Sequence, residues 1–309
     1  MAVQLLVFIL LFGFSLRLES ITGRRIVGNE RDQLALLELK KQIDDPYQAL
    51  HSWNDSNYFC DWVGVSCGSH HQRVINLNLT GKGLGGYISP SLVVSVVQNQ
   101  LHGSHPRDIS FTLPNLHEIY IGINLFLGGI PNSISNISTL EAIDLGYNNF
   151  VGPVPNNLGN LQNFQLFVIG GNQCGTGEAN DFDFVYPLFN CTHLETLDIR
   201  SNGFKGPLSF FKANLSTQLS ILVLGGNQIS GTIPVGFEYL VKLTALSMEQ
   251  NFLEGNIPSG IGKLLKLQRL FLGGNRLSGQ IPSFIGNLTL LYELHLEANN
   301  FNASIPSSL

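Results

Sequence analysis

The sequence predicts an α/β repeat solenoid, because one short pattern recurs along most of its 309 residues. Asparagines stand 24 residues apart, as at Asn251 and Asn275, and apolar residues precede each of them by three, five and eight positions. A Gly-x-Ile-Pro segment often follows. The unit around Asn275 contains Leu267, Leu270, Leu272, Leu277, Gly279, Ile281 and Pro282. Units of this length stack into a coil in which each covers the next.

Each unit is expected to contain one short β-strand. Alternation along the strand turns Leu270 and Leu272 inward, while Arg269, Phe271 and Gly273 point outward. A single unit cannot bury its leucines, so neighbouring coils must cover them and their strands form a parallel sheet. Because a period of 20–29 residues with this spacing is typical of leucine-rich repeats, we expect a leucine-rich-repeat superhelix with a concave parallel β-sheet.

The rest of the unit returns the chain to the next strand. The asparagine turns the chain, and its amide can satisfy backbone groups inside the coil that water cannot reach. The Ile-Pro pair predicts an extended return segment, since proline fixes φ and lacks an N–H donor. The stretch 258–267 is predicted to close the coil as a short helical turn.

The period varies at two places. The positions equivalent to the asparagine are Lys82, Asn99, Asn124, Asn148, Asn172, Asn202, Asn227, Asn251, Asn275 and Asn299. The long step, 172–202, predicts an acidic surface loop that contains Asp181 and Asp183, which we interpret as solvated rather than as a catalytic pair or a calcium site. The short step, 82–99, is below the length of a complete repeat, and we hypothesise that sequence has been lost near Leu92.

The composition limits the class of partner. Of the chain, 44% is hydrophobic and 13% charged, with a net charge of −5. Without a basic run, the sequence argues against nucleic acid as a partner.

The N-terminus predicts export. Residues 5–16 form an apolar run that fits a secretory signal peptide over 1–23, with cleavage after Ser20 or Gly23; a buried element is the alternative. No later run is long enough to suggest a membrane anchor. Glycosylation acceptor motifs begin at Asn54, Asn78, Asn136, Asn190, Asn214, Asn287 and Asn302. A glycan on Asn78 would lie on the outward side of the strands and mask part of that surface.

A capping domain is expected over residues 28–70. Residues 32–43 predict an amphipathic helix with a face formed by Leu34, Leu37 and Lys41. Cys60 and Cys67, with six residues between them, suit a disulfide in an exported protein, with a metal site as the alternative. Such a cap would cover the leucines of the first coil.

These N-terminal motifs resemble a known family. The run Asp-Gln-Leu-Ala-Leu-Leu-Glu-Leu-Lys at 32–40, Ser-Trp at 52–53 and C-x-W-x-G-V-x-C at 60–67 are similar to the N-terminal cap of plant leucine-rich-repeat receptors. The segments 175–184 and 190–194 resemble the long repeat of the receptor-kinase subfamily that contains immune pattern receptors. The resemblance implies a cell-surface ectodomain that binds an extracellular peptide or protein, recruits a leucine-rich-repeat co-receptor and acts in perception and defence signalling.

The sequence also departs from that family. In the family a membrane span and a Ser/Thr kinase follow the repeats, but after about ten repeats over 71–309 this chain stops in mid-repeat without a C-terminal cap. We therefore expect no enzymatic activity and no cofactor, and an exposed inward face on the last coil. The chain would be secreted to the apoplast if it is the mature product. The alternative is a secreted inhibitor similar to plant inhibitors of fungal polygalacturonases.

Ligand binding is expected on the outward strand residues, which stack into columns across the repeats. The candidate ligand-binding residues are Tyr120, Asp144, Asp198, Arg200, Ser247, Glu249, Arg269, Phe271, His295 and Glu297. Two further features are set aside. The glycine-rich run 81–86 matches G-x-G-x-x-G but precedes an extended segment rather than a helix. Cys174 and Cys191 could form a second disulfide, or Cys191 could be a small buried hydrophobic residue.

Overall fold

The structure is a computed structural model that describes residues 28–68, 72, 74–86, 95–103, 116–178, 180–208, 216–302 and 304–308. Its helices are α1 (Gly28–Gln42) and α2 (Val185–Leu188). Its strands are β1 (Ile43–Asp44), β2 (Val65–Cys67), β3 (Val74–Leu77), β4 (Gly85–Gly86), β5 (His102–Gly103), β6 (Glu118–Tyr120), β7 (Leu125–Gly128), β8 (Ala142–Asp144), β9 (Asn149–Gly152), β10 (Leu166–Val168), β11 (Gln173–Cys174), β12 (Thr196–Asp198), β13 (Lys205–Pro207), β14 (Ile221–Val223), β15 (Gln228–Thr232), β16 (Ala245–Ser247), β17 (Phe252–Gly255), β18 (Arg269–Phe271), β19 (Arg276–Gly279), β20 (Glu293–His295) and β21 (Asn300–Phe301). The predicted signal peptide, the short unit around Leu92 and the acceptor Asn214 lie outside the described residues.

The chain divides into two compact units, residues 1–149 and 150–309. In the first unit, α1 packs with a different face from the one predicted. Leu34 is 42% exposed and Lys41 is exposed, whereas Ala35, Leu36 and Leu39 are buried. The buried Asp32 fixes this orientation, because its carboxylate accepts a hydrogen bond from the Val74 amide at 2.9 Å. The predicted face of Leu34, Leu37 and Lys41 was therefore wrong, since it did not include the contact of Asp32 with β3.

The cap has a small aromatic core. Trp53 stacks on Trp62 with ring centroids 5.6 Å apart, and Phe59 meets Trp62 edge-on at 6.4 Å. Cys60 and Cys67 are disulfide-bonded, which confirms the disulfide rather than a metal site. Strand β2 pairs antiparallel with β3, so the cap covers the buried leucines of the first coil, as predicted.

The second unit contains the predicted parallel sheet. Its strands β10, β12, β14, β16, β18 and β20 pair in register, and equivalent residues of successive repeats are direct neighbours. Leu270 and Leu272 are fully buried beneath this sheet. In the first unit, β6 pairs with β8 in the same parallel sense. The prediction of a short strand whose alternate residues point inward is therefore confirmed.

A ladder of asparagine side chains runs along the coils. Asn251 is representative: its Nδ2 donates to the carbonyls of Leu224, Met248 and Glu249 at 3.1–3.2 Å, and its Oδ1 accepts from the Ile229 amide at 3.0 Å. The amides of Leu84, Leu101, Phe126, Phe150, Cys174, Phe204, Ile229, Leu253 and Leu277 donate to the side-chain oxygens of Asn99, Asn124, Asn148, Asn172, Asn202, Asn227, Asn251, Asn275 and Asn299, respectively. The asparagines thus satisfy buried backbone groups of their own and the preceding coil.

The return segments form a second set of parallel sheets, which the sequence reasoning missed. In the second unit β13, β15, β17, β19 and β21 pair in that order, and in the first unit β5 pairs with β7. We predicted an extended segment but no hydrogen-bonded pairing between successive segments, because the sequence of such a segment does not differ from that of an ordinary turn. The helical turn after proline is confirmed, for example as a 3-10 helix at Ser259–Lys263.

The last described coil is less well covered than the others. Leu294 and Leu296 are only half-buried, although their equivalents Leu270 and Leu272 in the preceding coil are inaccessible. This agrees with the expected exposure of its inward face. Within the described ranges, every helix is too short or too polar to cross a bilayer.

The residue before each ladder asparagine adopts a left-handed conformation. Glycine holds this place at Gly171, Gly226 and Gly274, but Ile123 holds it with φ of 55°. A β-branched side chain is strained there. Ile123 is also 48% exposed, so burial of its side chain offsets little of that strain.

We predict that Asn251→Ala lowers the free energy of unfolding by about 3 kcal/mol, because it leaves an amide and several carbonyls without partners inside the coil. Urea titration of the secreted protein measures this. Asn256→Ala, at an exposed asparagine of the same coil, is the control and should change stability by less than about 0.5 kcal/mol. Equal losses in the two variants would contradict the role of the ladder.

We predict that Ile123→Gly raises the free energy of unfolding by about 1 kcal/mol, because relief of left-handed strain exceeds the added entropy of the unfolded glycine. The same titration applies. Val241→Gly is the matched control, since Val241 is β-branched and 52% exposed but lies outside the left-handed set. That variant should lose stability, and a loss at both positions would show that Ile123 is not strained.

Candidate ligand-binding face

The outward residues of the parallel sheet in the second unit form one surface, which we call the strand face. It comprises the outward side chains of β10, β12, β14, β16, β18 and β20 and the residue two positions after each strand's last residue. Register pairs Val168 with Asp198, Asp198 with Val223, Val223 with Ser247, Ser247 with Phe271 and Phe271 with His295. Eight of the predicted ligand-binding residues therefore share this face: Asp198, Arg200, Ser247, Glu249, Arg269, Phe271, His295 and Glu297.

Asp198 and Arg200 form an ion pair within one coil. The Arg200 Nε lies 3.0 Å and 2.8 Å from the two carboxylate oxygens of Asp198. Asp198 is buried and Arg200 half-buried, and the arginine stem lies beside Gly170 of the preceding coil. The two formal charges therefore offset each other on the strand face.

Glu249 is held flat on the strand face by its neighbours. The Ser247 hydroxyl donates to its carboxylate at 2.6 Å. A Cβ atom placed on Gly225, in the preceding coil, would lie only 2.5 Å from a Glu249 carboxylate oxygen. The glycine thus provides the space that the glutamate side chain occupies.

An aromatic and acidic group occupies the last two strands. The ring of His295 meets Phe271 edge-on with centroids 4.8 Å apart. Nδ1 of His295 lies 3.2 Å from a Glu297 carboxylate oxygen, and Nε2 lies 3.5 Å from Glu293. The hydrogen bond from its own backbone amide, and then that from His295, lower the pKa of Glu297. Glu297 lies over Gly273 as Glu249 lies over Gly225.

Apolar residues occupy part of the strand face, on β10, β14 and β16, and the sequence analysis did not single them out. Val223 and Ala245 are buried and Leu166, Val168 and Ile221 are half-buried. The period-2 alternation of the strands predicts that these residues point outward. They were not among the candidates, because the candidates were chosen among charged, polar and aromatic residues. A ligand on this surface would meet these apolar residues as well as the charged side chains of β12, β18 and β20.

The remaining candidates, Tyr120 and Asp144, are register partners in the first unit. Burial, and then the charges of Glu118 and Asp144, raise the pKa of Tyr120, so its hydroxyl stays protonated and able to donate. The exposed Asn78 lies in the same column, since it bridges to Ser95 and Ser95 bridges to Tyr120.

Asp181 is not solvated, so that interpretation was wrong. Its buried carboxylate accepts hydrogen bonds from the amides of Thr176, Gly177 and Lys205 and from the Thr176 hydroxyl, at 2.7–3.0 Å. Asp181 thus holds the loop of the long repeat together by accepting hydrogen bonds from its backbone amides. Asp183 is exposed, as expected. No group of three or more potential metal ligands occurs among the described residues.

The glycine-rich run has a local structural role. Gly81, Gly83 and Gly86 have positive φ, and a Cβ on Gly83 would collide with the ring of Tyr47 at 2.7 Å. Gly86 pairs with Ile43 of β1. Tyr47 and β1 of the cap therefore pack directly against this run.

The profile of the Leucine rich repeat N-terminal domain matches residues 29–68, and that of the Leucine Rich Repeat matches 139–161, 218–240 and 266–288. The chain therefore has the leucine-rich-repeat fold.

Relatives of this leucine-rich-repeat chain are plant receptor-like kinases. It is 51% identical to the Arabidopsis thaliana LRR receptor-like serine/threonine-protein kinase EFR over 67 residues, covering 21% of this chain and 6% of EFR. It is 34% identical to the Arabidopsis thaliana kinase GSO2 over 144 residues, covering 43% of this chain and 11% of GSO2. The chain thus spans a small part of the length of these relatives.

A solved structure matches most of the chain. The ectodomain of the Arabidopsis receptor kinase HAESA, in complex with an IDA peptide hormone ligand, superposes with a TM-score of 0.71 at 26% identity. The match covers 88% of this chain and 50% of that ectodomain. This structural similarity covers more of the chain than the segments that the N-terminal-domain and repeat profiles match.

The described glycosylation acceptors differ in their position on the repeats. Asn136 and Asn287 each end a 3-10 helix and are exposed, and Asn190 is exposed after α2. Asn302 is exposed after β21, in the second sheet. Asn54 is half-buried and donates to the His51 carbonyl at 2.9 Å.

Cys174 and Cys191 are free and buried, so the second disulfide does not form. Burial raises the pKa of Cys174 to about 12 and that of Cys191 to about 11. Since both values exceed the 9.0 of an exposed thiol, folding keeps the thiols protonated, and the stability this contributes below pH 9 is lost as the pH rises through those values.

We predict that neither thiol reacts with a thiol-specific reagent at pH 8 in the native protein, because both are inaccessible and protonated. After denaturation without a reductant, both should react and Cys60 and Cys67 should not. Mass spectrometry of the labelled peptides measures this. Recovery of a peptide pair linked through Cys174 and Cys191 would contradict the assignment.

Proposed function

We propose that this chain belongs to the extracellular ectodomain of a plant receptor-like kinase or receptor-like protein and binds a peptide or protein ligand. The ligand would lie on the strand face. Binding would serve perception at the cell surface, in defence signalling. The chain itself would contribute recognition and no catalysis.

The in-register columns of the strand face carry this proposal. They give a continuous surface in which charged, aromatic and apolar side chains recur at the spacing of neighbouring strands, about 4.8 Å. An extended peptide that crosses the strands can contact several of them in sequence. The match to the HAESA ectodomain, a protein with a bound peptide hormone, supports the same use here.

The surroundings support an extracellular location. The disulfide Cys60–Cys67 suits an oxidising compartment, and five acceptor asparagines are exposed. We also propose a leucine-rich-repeat co-receptor as a second partner, on the similarity to receptor-like kinases.

The test is a selection of random twelve-residue peptides displayed on phage against the secreted glycoprotein. We expect recovered peptides to lose at least tenfold in affinity for Phe271→Ala, because the exposed part of this aromatic ring lies in the middle of the proposed contact. The control is Phe252→Ala, since Phe252 is a partly exposed phenylalanine of the preceding coil in the second sheet.

The two variants distinguish the surfaces. Peptides that bind Phe271→Ala normally but fail on Phe252→Ala would place recognition on the second sheet and contradict the proposal. A selection that yields no specific peptide would also count against it. Unchanged thermal midpoints of both variants, measured by circular dichroism, exclude loss of folding as the cause.

A further inference from the structure

We infer that the strand face takes an extended peptide with two basic side chains three residues apart, which pair with Glu249 and Glu297. This deepens the proposed function and rests on it.

The two glutamates occupy equivalent positions and have similar surroundings. Each follows the last residue of its strand by two positions and lies over a glycine of the preceding coil, at Gly225 and Gly273. Each is held from within its own coil, Glu249 by Ser247 and Glu297 by His295. Both carboxylates are therefore oriented along the strand face before a ligand arrives, which reduces the entropy lost on binding.

Among the described residues of the strand face, Glu249 and Glu297 are the carboxylates without an arginine partner, and Glu297 has the imidazole of His295 at 3.2 Å instead. Asp198 is paired with Arg200 in a bidentate contact. Glu293 has Arg269 as its register partner. Among the described outward residues of β12–β20, four carboxylates face two guanidinium groups, which leaves an excess of negative charge at Glu249 and Glu297. Charge complementarity therefore selects a cationic ligand.

The separation of the glutamates sets the spacing of the ligand. They lie two strands apart, in the coils of β16 and β20, which is about 10 Å at the usual spacing of strands. In an extended peptide with the polyproline II conformation, residues three positions apart lie on the same side of the chain and are separated by about 9 Å. Phe271, on the intervening strand β18, would contact an apolar residue between the two basic ones.

The glycosylation acceptors leave this surface open. In the described part of the second unit, Asn190 and Asn287 follow or end helical turns, and Asn302 follows β21 of the second sheet. In the first unit, by contrast, Asn78 lies in the outward strand column. Glycans at these acceptors would therefore leave the coils of Glu249 and Glu297 accessible.

The test uses the peptides selected above that lose affinity for Phe271→Ala. We expect these peptides to be enriched in Lys or Arg at two positions three apart. A synthetic copy should bind Glu249→Gln/Glu297→Gln about tenfold more weakly, from the loss of two exposed charge pairs, and its affinity should fall with added salt. Glutamine keeps the size of each side chain and its ability to accept a hydrogen bond.

The control variant is Glu254→Gln, since Glu254 is exposed in the second sheet and should leave the affinity unchanged. Peptides that depend on Phe271 but lack basic residues, or bind the double glutamine variant normally, would overturn this inference and leave the proposed function in place. An absence of Phe271-dependent peptides would contradict the proposed function itself, and the inference with it.

Discussion

The asparagine ladder is the constraint on which the rest of this structure depends. A coil that turns every few residues places many backbone amides and carbonyls in an apolar interior, where each needs a partner. One side chain per coil supplies partners for several of them, as Asn251 does for the carbonyls of Leu224, Met248 and Glu249. Because the ladder also receives an amide of the preceding coil, it fixes the register from one repeat to the next.

That register makes the strand face a surface of aligned positions. Once Ser247 is next to Val223, Glu249 must lie next to Gly225, since each is two residues further along the chain. A long side chain can then lie across a glycine, where any Cβ would collide with it. The glycines two positions after the strands, such as Gly225 and Gly273, therefore do more than permit a turn. They provide the depressions in which polar side chains of the following coil rest.

Much of this was predictable from the sequence, because the information is periodic. The spacing of Leu270, Leu272 and Asn275 predicted the strand, its inward face and the turn. The features that could not be predicted depend on side-chain contacts that occur once and do not recur from repeat to repeat. The buried carboxylate of Asp32 decides which face of α1 packs inward, and Asp181 supports a loop that occurs once. Likewise the spacing placed the candidate residues on the strands or just after them, but a pairing such as that of Asp198 with Arg200 depends on side-chain contacts that the period does not encode.

The separation between inward and outward positions explains how such a fold can acquire a specific ligand. Inward residues are tied to the core and to the ladder, so a change there costs stability. An outward residue such as Glu249 contacts one serine and the space above one glycine, so replacing it leaves the buried contacts intact. Charge on the strand face can thus change one coil at a time while the register holds each new side chain at a known distance from its neighbours. The position of a charge along the coils, rather than its presence, is then what a ligand would recognise.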